Sequence, residues 1–365
     1  MNKQLALIFI AMAMMVGNVY GSCLQVKILS AHSVFDKKQD VVVEMQYNNT
    51  SNYTISIYKW CLPNNELNDP LFKVNCNNVP VNYVGPLVKR REPTIEDMIP
   101  LEPGKTKIIQ ARLSSAYDMT KTGIYSIQYD MPAERVVFKY ARTFESSLVR
   151  AITKRQSGLQ SNNIQLIIEG RPNRQREQNK NMNVVRRAAA TLSYVSCSIT
   201  QKSQITTAVY WALKYANNSF NYLNKTKPSG TNRYKTWFGR FMLSNWNTQK
   251  IHFQNIKNVF SSKRITFDCG CNNASPYAGT YAYVYRDQPY IIHLCPVFWS
   301  APMTGTDSKA GTLIHETSHF SVVVGTYDYA YGKMASTSLA LSAPSQAIMN
   351  ADSHEYFAEN FPVLL

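Results

Sequence analysis

The sequence predicts an α+β protein, an antiparallel β-sandwich followed by a mainly helical domain that carries a small β-sheet. Three observations carry that prediction. Apolar and polar residues alternate over residues 24–144, the side-chain period of strands. Over residues 150–187 basic side chains sit among Asn, Gln and Ser, with one apolar island at Ile164–Ile168, the composition of an exposed linker. Beyond Ala188 apolar and aromatic residues recur at helical spacing. The 365 residues leave room for two domains of ordinary size. The expected division is 1–21, 22–149, 150–187 and 188–365.

The first segment reads as an export signal. Met1-Asn2-Lys3 is a short basic start, residues 5–17 are continuously apolar, and Val19-Tyr20-Gly21 offers a cleavage site before Ser22. The stretch is too short for a membrane span, and no later segment is apolar enough to cross a bilayer. A secreted protein without stable membrane insertion is therefore expected. Export permits disulfides. Of the seven cysteines, Cys61 and Cys76 form one group and Cys197, Cys269, Cys271 and Cys295 another, each pairing internally, which leaves Cys23 over. Cys269-Gly270-Cys271 is too tight for a redox or zinc pair, so these two staple to different partners.

In the first half Val41, Val43, Met45 and Tyr47 alternate with polar residues, as do Ile55 and Ile57, then Tyr125, Ile127 and Tyr129. Pro103-Gly104 and Thr122-Gly123 supply turns. No group of metal ligands, and no nucleophile with a base, stands out there. In the linker, Lys154-Arg155, Arg171, Arg174, Arg176 and Arg186-Arg187 admit two readings: a region cleaved on activation, or a solvated tether able to hold a polyanion. The net charge of +16 would suit nucleic acid, yet only about six of those charges follow Arg187. No nucleic-acid partner is expected.

In the second half Ile205, Ala208, Val209, Ala212, Tyr215, Ala216 and Leu223 keep helical spacing, as do Tyr234, Trp237, Phe238, Phe241 and Met242. Such stripes are core. Strand-like runs follow at Thr280–Tyr285 and residues 290–294, then a helix over residues 308–324. Strands beside that helix offer an edge to which an extended peptide can add.

The helix holds the pattern that points to chemistry. In His315-Glu316-Thr317-Ser318-His319 the two imidazoles share one helical face, so both can bind a single metal ion while Glu316 acts as general base. Catalytic zinc takes a third protein ligand and keeps one position open. Asp328 is the candidate, because Gly325 can end the helix in a left-handed turn and swing the chain back. The combination in an exported chain reads as a zinc endopeptidase, with one Zn2+ in the helical domain and proteins or peptides as substrates. Tyr331, three residues beyond Asp328, is either the donor to the carbonyl oxygen as it gains charge or a packed aromatic beside Tyr327 and Tyr329.

His315-Glu316-x-x-His319 with Gly325-Thr326-x-Asp328-x-x-Tyr331-Gly332 resembles the aspzincin signature of deuterolysins and peptidyl-Lys metalloendopeptidases. The likeness extends upstream through residues 280–285, Leu294-Cys295 and Gly305-Thr306-Asp307, and covers the segment from about Ser193 onward. It implies zinc on His315, His319 and Asp328, Glu316 as catalytic base, and Tyr331 on the oxyanion. It further implies the disulfides Cys197–Cys269 and Cys271–Cys295. Members of this family are secreted as zymogens, so the chain's own first domain becomes an expected inhibitor, although that half resembles their prodomains less closely.

Asp352 and Glu355 lie three apart, so on one helical turn both can face a single pocket for an ammonium group. The other reading of their spacing is an exposed acidic helix. In the Lys-specific branch of the resembling family an Asp and a Glu at these positions hold the substrate lysine, which implies cleavage on the N-terminal side of lysine. His354 between them is expected to be structural. Self-processing would start new chains at Lys154 or Lys180, whereas a companion protease would cut after Arg155 or Arg187. With no cysteine in the linker to act as a switch ligand, the first domain is expected to block the cleft by plain occlusion. Two rivals remain: a broad deuterolysin-like protease, and an inactive secreted protein that binds polyanions. The intact Glu316 and ligand set weigh against the second.

Overall fold

In a computed structural model of the chain, the described residues are 24–63, 67–131, 159–172, 191–271, 277 and 279–364. The export signal, Cys23, and the processing positions Lys154, Arg155, Lys180 and Arg187 lie outside them.

The first part is strand-rich: β1 (Leu24–Leu29), β2 (Val34–Phe35), β3 (Val42–Asn49), β4 (Ile55–Tyr58), β5 (Phe72–Cys76), β6 (Val79–Pro80), β7 (Pro86–Arg90), β8 (Met98–Leu101), β9 (Thr106–Arg112), β10 (Gly123–Met131), β11 (Leu159–Gln160) and β12 (Ile164–Ile168). One sheet runs β1-β3-β9 and a second β2-β12-β10-β5-β6, with β4 and β8 paired apart. The alternation read from the sequence is the alternation of burial: Val43, Met45 and Tyr47 point inward from β3, and Tyr125, Ile127 and Tyr129 from β10. They meet in one shared core, where the Tyr47 and Tyr129 rings pack edge to face at 5.7 Å.

Two expectations need correction. Ile164–Ile168 is no island in a linker. It pairs antiparallel with β10 and buries Leu166 and Ile168 in the first core. Its apolar positions alternate, and that period belongs to a strand. Cys61 and Cys76 are not bridged: both are buried thiols, one closing the turn after β4 and the other ending β5. Each fills an apolar core position, where a cysteine packs as a small hydrophobe.

The second part contains β13 (Thr191–Val195), α1 (Ile199–Lys225), α2 (Asn232–Phe238), α3 (Leu243–Ser262), β14 (Arg264–Asp268), β15 (Thr280–Tyr285), β16 (Ile291–Leu294), α4 (Pro296–Ser300), α5 (Lys309–His319), α6 (Gly332–Ser342), α7 (Pro344–Ala347) and α8 (Ala351–Glu359). The stripe read along α1, and Tyr234, Trp237 and Phe238 of α2, pack in the core as expected, but α2 ends at Phe238, which leaves Phe241 half-buried beyond it and Met242 exposed at the start of α3. Ser198 caps α1 with a reciprocal Ser–Gln capping box. The disulfides Cys197–Cys269 and Cys271–Cys295 are present and tie the start of α1 and the end of β16 to the segment after β14.

The sheet of this part runs β13-β14-β16-β15-β7. Its last member comes from the first part. All five residues of β7 are buried, and the strand lies antiparallel on β15 with Lys89 opposite Ala282, Val88 opposite Tyr283 and Leu87 opposite Val284. The two parts thus share one sheet, at the edge where the sequence analysis expected an extended peptide to add.

Candidate active site

Ser308 starts the central helix by accepting the Gly311 N–H at 2.9 Å. A helix glycine usually weakens a helix. Here a Cβ at position 311 would lie 2.1 Å from Glu359 Oε1 and 3.0 Å from Glu355 Cγ, so glycine is what lets α8 pack this close to α5. Every residue of α5 is buried. The helix is shorter than expected, ending at His319 rather than 324, because Gly325 and Thr326 both return their N–H groups to the Ser318 carbonyl. Gly325 adopts φ +79°, and a Cβ there would also sit 2.9 Å from the Arg286 guanidinium that donates to its carbonyl.

That turn carries Asp328 back to the helix. His315 Nε2 and His319 Nε2 are 3.1 Å apart, and Asp328 Oδ1 lies 3.1 Å from the first and 3.4 Å from the second. All three side chains are buried, and neither Asp328 oxygen receives a hydrogen bond. Three donors aimed at one point without other partners fit a divalent cation, and a His–His–carboxylate set suits zinc. The far nitrogens are fixed as well. His315 Nδ1 faces Asp352 Oδ1 at 2.8 Å, and His319 Nδ1 donates to the Thr326 carbonyl at 3.1 Å. Glu316 is buried beside them with both oxygens unpartnered, and burial pushes its carboxyl up to about 8.

Asp352 and Glu355 stand on α8, buried rather than exposed, so the reading of an acidic surface helix fails. Between them lies the Lys89 ammonium, reaching in from β7. Its Nζ is 2.6 Å from Glu355 Oε2, 3.5 Å from Asp307 Oδ1 and 3.7 Å from Asp352 Oδ1, and the Tyr281 and Tyr356 rings flank it. Burial opposes a charge on Lys89, but Glu355, Asp352 and Asp307 outweigh it and hold its pKa well above the usual lysine value. Tyr331 is buried as well. Its hydroxyl faces Arg90 and Asp69 of the first part, and its ring meets Trp60 edge to face at 6.3 Å. His354 is structural, bonded to the Asn350 carbonyl and to His252.

Several members of the site escaped the sequence reading. Asn350 is buried and its Oδ1 accepts the N–H groups of Tyr329 and Ala330, which seats the Asp328-to-Tyr331 segment against α8. Glu359 accepts from Ser308 N–H, Ser308 Oγ–H and Asp307 N–H, so it orders the start of α5. Glu359 lies one turn beyond Glu355 on the same helix, a spacing that could have flagged it. Lys89, Arg90 and Asp69 had no local signal.

A family model described as lysine-specific metallo-endopeptidase, of the aspzincins, matches residues 222–359. An extracellular protease of Aeromonas hydrophila is 40% identical over 324 residues, covering 88% of this chain and 89% of its own. A peptidyl-Lys metalloendopeptidase of Pleurotus ostreatus is 50% identical over 173 residues, 47% of this chain and 99% of that one. Among solved structures, a zinc peptidase from Grifola frondosa is 46% identical and covers 46% of this chain and 100% of its own, with a TM-score of 0.43. Similarity across nearly the full length of a protease, meeting a buried convergence of His315, His319 and Asp328 beside Glu316, means that this chain belongs to the aspzincin family of zinc metalloendopeptidases.

Proposed function

We propose that the chain is a secreted precursor of an endopeptidase that cleaves proteins on the N-terminal side of lysine, and that its first part is the inhibitory domain. One observation carries this reading: a lysine ammonium fully buried between Asp352 and Glu355, on a strand that pairs with the sheet edge as a substrate would. Two carboxylates in a dry pocket are costly without a cation, and a lysine side chain supplies one. The two disulfides, and the absence of any membrane-spanning helix among the described residues, fit an exported protein. The inhibitory role is supported by the same strand, since β7 fills the place of a substrate, in line with plain occlusion.

His315, His319 and Asp328 would hold one zinc ion, which when bound supplies a Lewis acid that activates water and polarises the scissile carbonyl. The protein residues do the rest. Glu316 takes the proton of the attacking water and returns it to the leaving amine. Its carboxyl, raised to about 8 by burial against the lowering pull of His315 and Lys89, lies in the range for such exchange near neutrality. Tyr331 donates to the carbonyl oxygen as that oxygen gains charge. Asp352 and Glu355 orient the substrate by its lysine.

A cleavage-site map tests the proposal. Zinc-supplemented protein freed of residues before Thr191, and its Glu316→Gln variant, are incubated with a denatured protein. Cuts before lysine by the first alone are expected. Cuts without lysine preference would remove the Asp352–Glu355 pocket from the account and leave the broad-specificity reading.

A further inference from the structure

A Lys-directed endopeptidase holding Lys89 in its lysine pocket also holds the Val88–Lys89 bond where it should be cut. The next residue along that strand, Arg90, makes a different set of contacts. Arg90 Nη1 donates to the Tyr331 hydroxyl at 2.8 Å, and the same guanidinium grips Asp69 with two contacts, Nη1 to Oδ1 at 3.2 Å and Nη2 to Oδ2 at 2.7 Å. The Tyr331 hydroxyl in turn directs its proton to Asp69 Oδ1 at 3.4 Å. All three side chains are buried, and the Trp60 ring covers the guanidinium at 5.3 Å.

We propose that Arg90 and Asp69 form a lock on the Tyr331 hydroxyl that leaves the Val88–Lys89 bond bound but uncut. A phenol has one proton. With that proton turned to the Asp69 carboxylate and the oxygen engaged by Arg90, Tyr331 has nothing to offer the Val88 carbonyl as it gains charge. The buried fork–carboxylate pair is rigid and, unlike a lone lysine contact, has a directional preference that water does not replace. Arg90 and Asp69 are thus positioning residues acting through Tyr331. The inference rests on the Lys-directed reading and adds to it a means by which the Val88–Lys89 bond escapes cleavage.

Release of the lock turns the inhibitor into a substrate. Water adds its oxygen to the Val88 carbonyl carbon, the C–N bond to Lys89 breaks, and the proton held by Glu316 passes to the Lys89 amine. No oxidant or further reactant is involved.

The test uses the full zinc-supplemented chain as wild type and as Arg90→Ala, Arg90→Lys and Asp69→Asn, each also with Glu316→Gln. Intact mass and N-terminal sequence are followed over time, and a denatured protein is added in parallel. Chains beginning at Lys89 are expected to form at least 10-fold faster in the three lock variants than in wild type, and not in the Glu316→Gln doubles. Arg90→Lys keeps the charge and bulk, so it reports the lost fork even if the alanine variant folds poorly. First cuts at exposed lysines such as Lys37, Lys105 or Lys121 would mean a loosened domain rather than an opened lock, and would overturn the proposal. So would equal cutting at Lys89 in wild type, or lock variants that cut the added protein before lysine yet leave Val88–Lys89 intact. If no protein cuts anything before lysine, the Lys-directed reading falls and the lock with it.

Discussion

Asp352 serves three neighbours at once, its Oδ2 accepting the Gly332 N–H at 2.7 Å. Its Oδ1 lies 2.8 Å from His315 Nδ1 and 3.7 Å from the Lys89 ammonium, while Glu355 is closest to the ammonium, at 2.6 Å, and stands 3.4 Å from the imidazole. The two carboxylates, alike in the sequence reading, therefore differ in work. Asp352→Asn in the activated protein should lower zinc affinity by about 10-fold or more, because the carboxylate that orients His315 is lost. Glu355→Gln should keep its zinc and show its loss mainly as a raised KM for lysine substrates. Zinc retention on dialysis, set beside KM and kcat, separates them; identical behaviour of the two variants would refute the division. A second residue-level prediction concerns the His252–His354 pair. His354 Nδ1–H donates to the Asn350 carbonyl, so His354 Nε2 is an acceptor and His252 Nδ1–H donates to it. Burial lowers His252 to about 4 and His354 to about 3, below the unfolded value near 6.5. Folding therefore favours the neutral rings, and their contribution is complete above about pH 6.5 and lost as pH falls toward 4 and 3. His252→Gln keeps a donor without that titration. It should lose less Tm than wild type between pH 6.5 and pH 4, and parallel curves would show that the pair does not titrate in this way.

At the level of elements, what the sequence disclosed was local and what it hid was distant. The metal helix was legible because His315, Glu316 and His319 sit within five positions, and Asp328 because Gly325 is the one residue type that turns there at little cost. The strand β15 was legible as a short strand-like run, and so was the possibility that a peptide adds beside it. That the peptide is β7 was not, for Lys89 and Glu355 are brought together by pairing across most of the chain, and Pro86–Arg90 has no period of its own. The parallel strands β13 and β14 were also missed, being short runs beside long helices. Ile164–Ile168 was misread because the basic residues around it outweighed its alternation. Asn350 and Gly311 illustrate a third kind of difficulty. Their roles are steric and hydrogen-bonding relations between α5, α8 and the Asp328 segment, which exist only once those elements are packed.

For the whole molecule, the shared sheet joins the two parts, and on the proposed reading it makes stability and latency one property. Lys89 neutralises carboxylates that are buried with the two parts docked. With Lys89→Gln the pocket keeps Asp352 and Glu355 without their cation, and leaving such charges unpaired in a closed interface costs about 3–5 kcal/mol. The molecule has a cheaper course than paying that in full, which is to let β7 leave β15 and admit water to the pocket. Docking should therefore weaken more than folding of either part. The expected result for the full Lys89→Gln chain is twofold: hydrogen exchange at the β7–β15 amides rises sharply while that of β3 and β10 in the first core stays slow, and uncut chain gains activity toward an added lysine peptide. Lys89→Arg, which retains a cation in the pocket, should fall between wild type and the glutamine variant on both measures. If Lys89→Gln instead raised exchange evenly through the first core, Lys89 would be a support of that domain and not the contact through which it holds the protease shut.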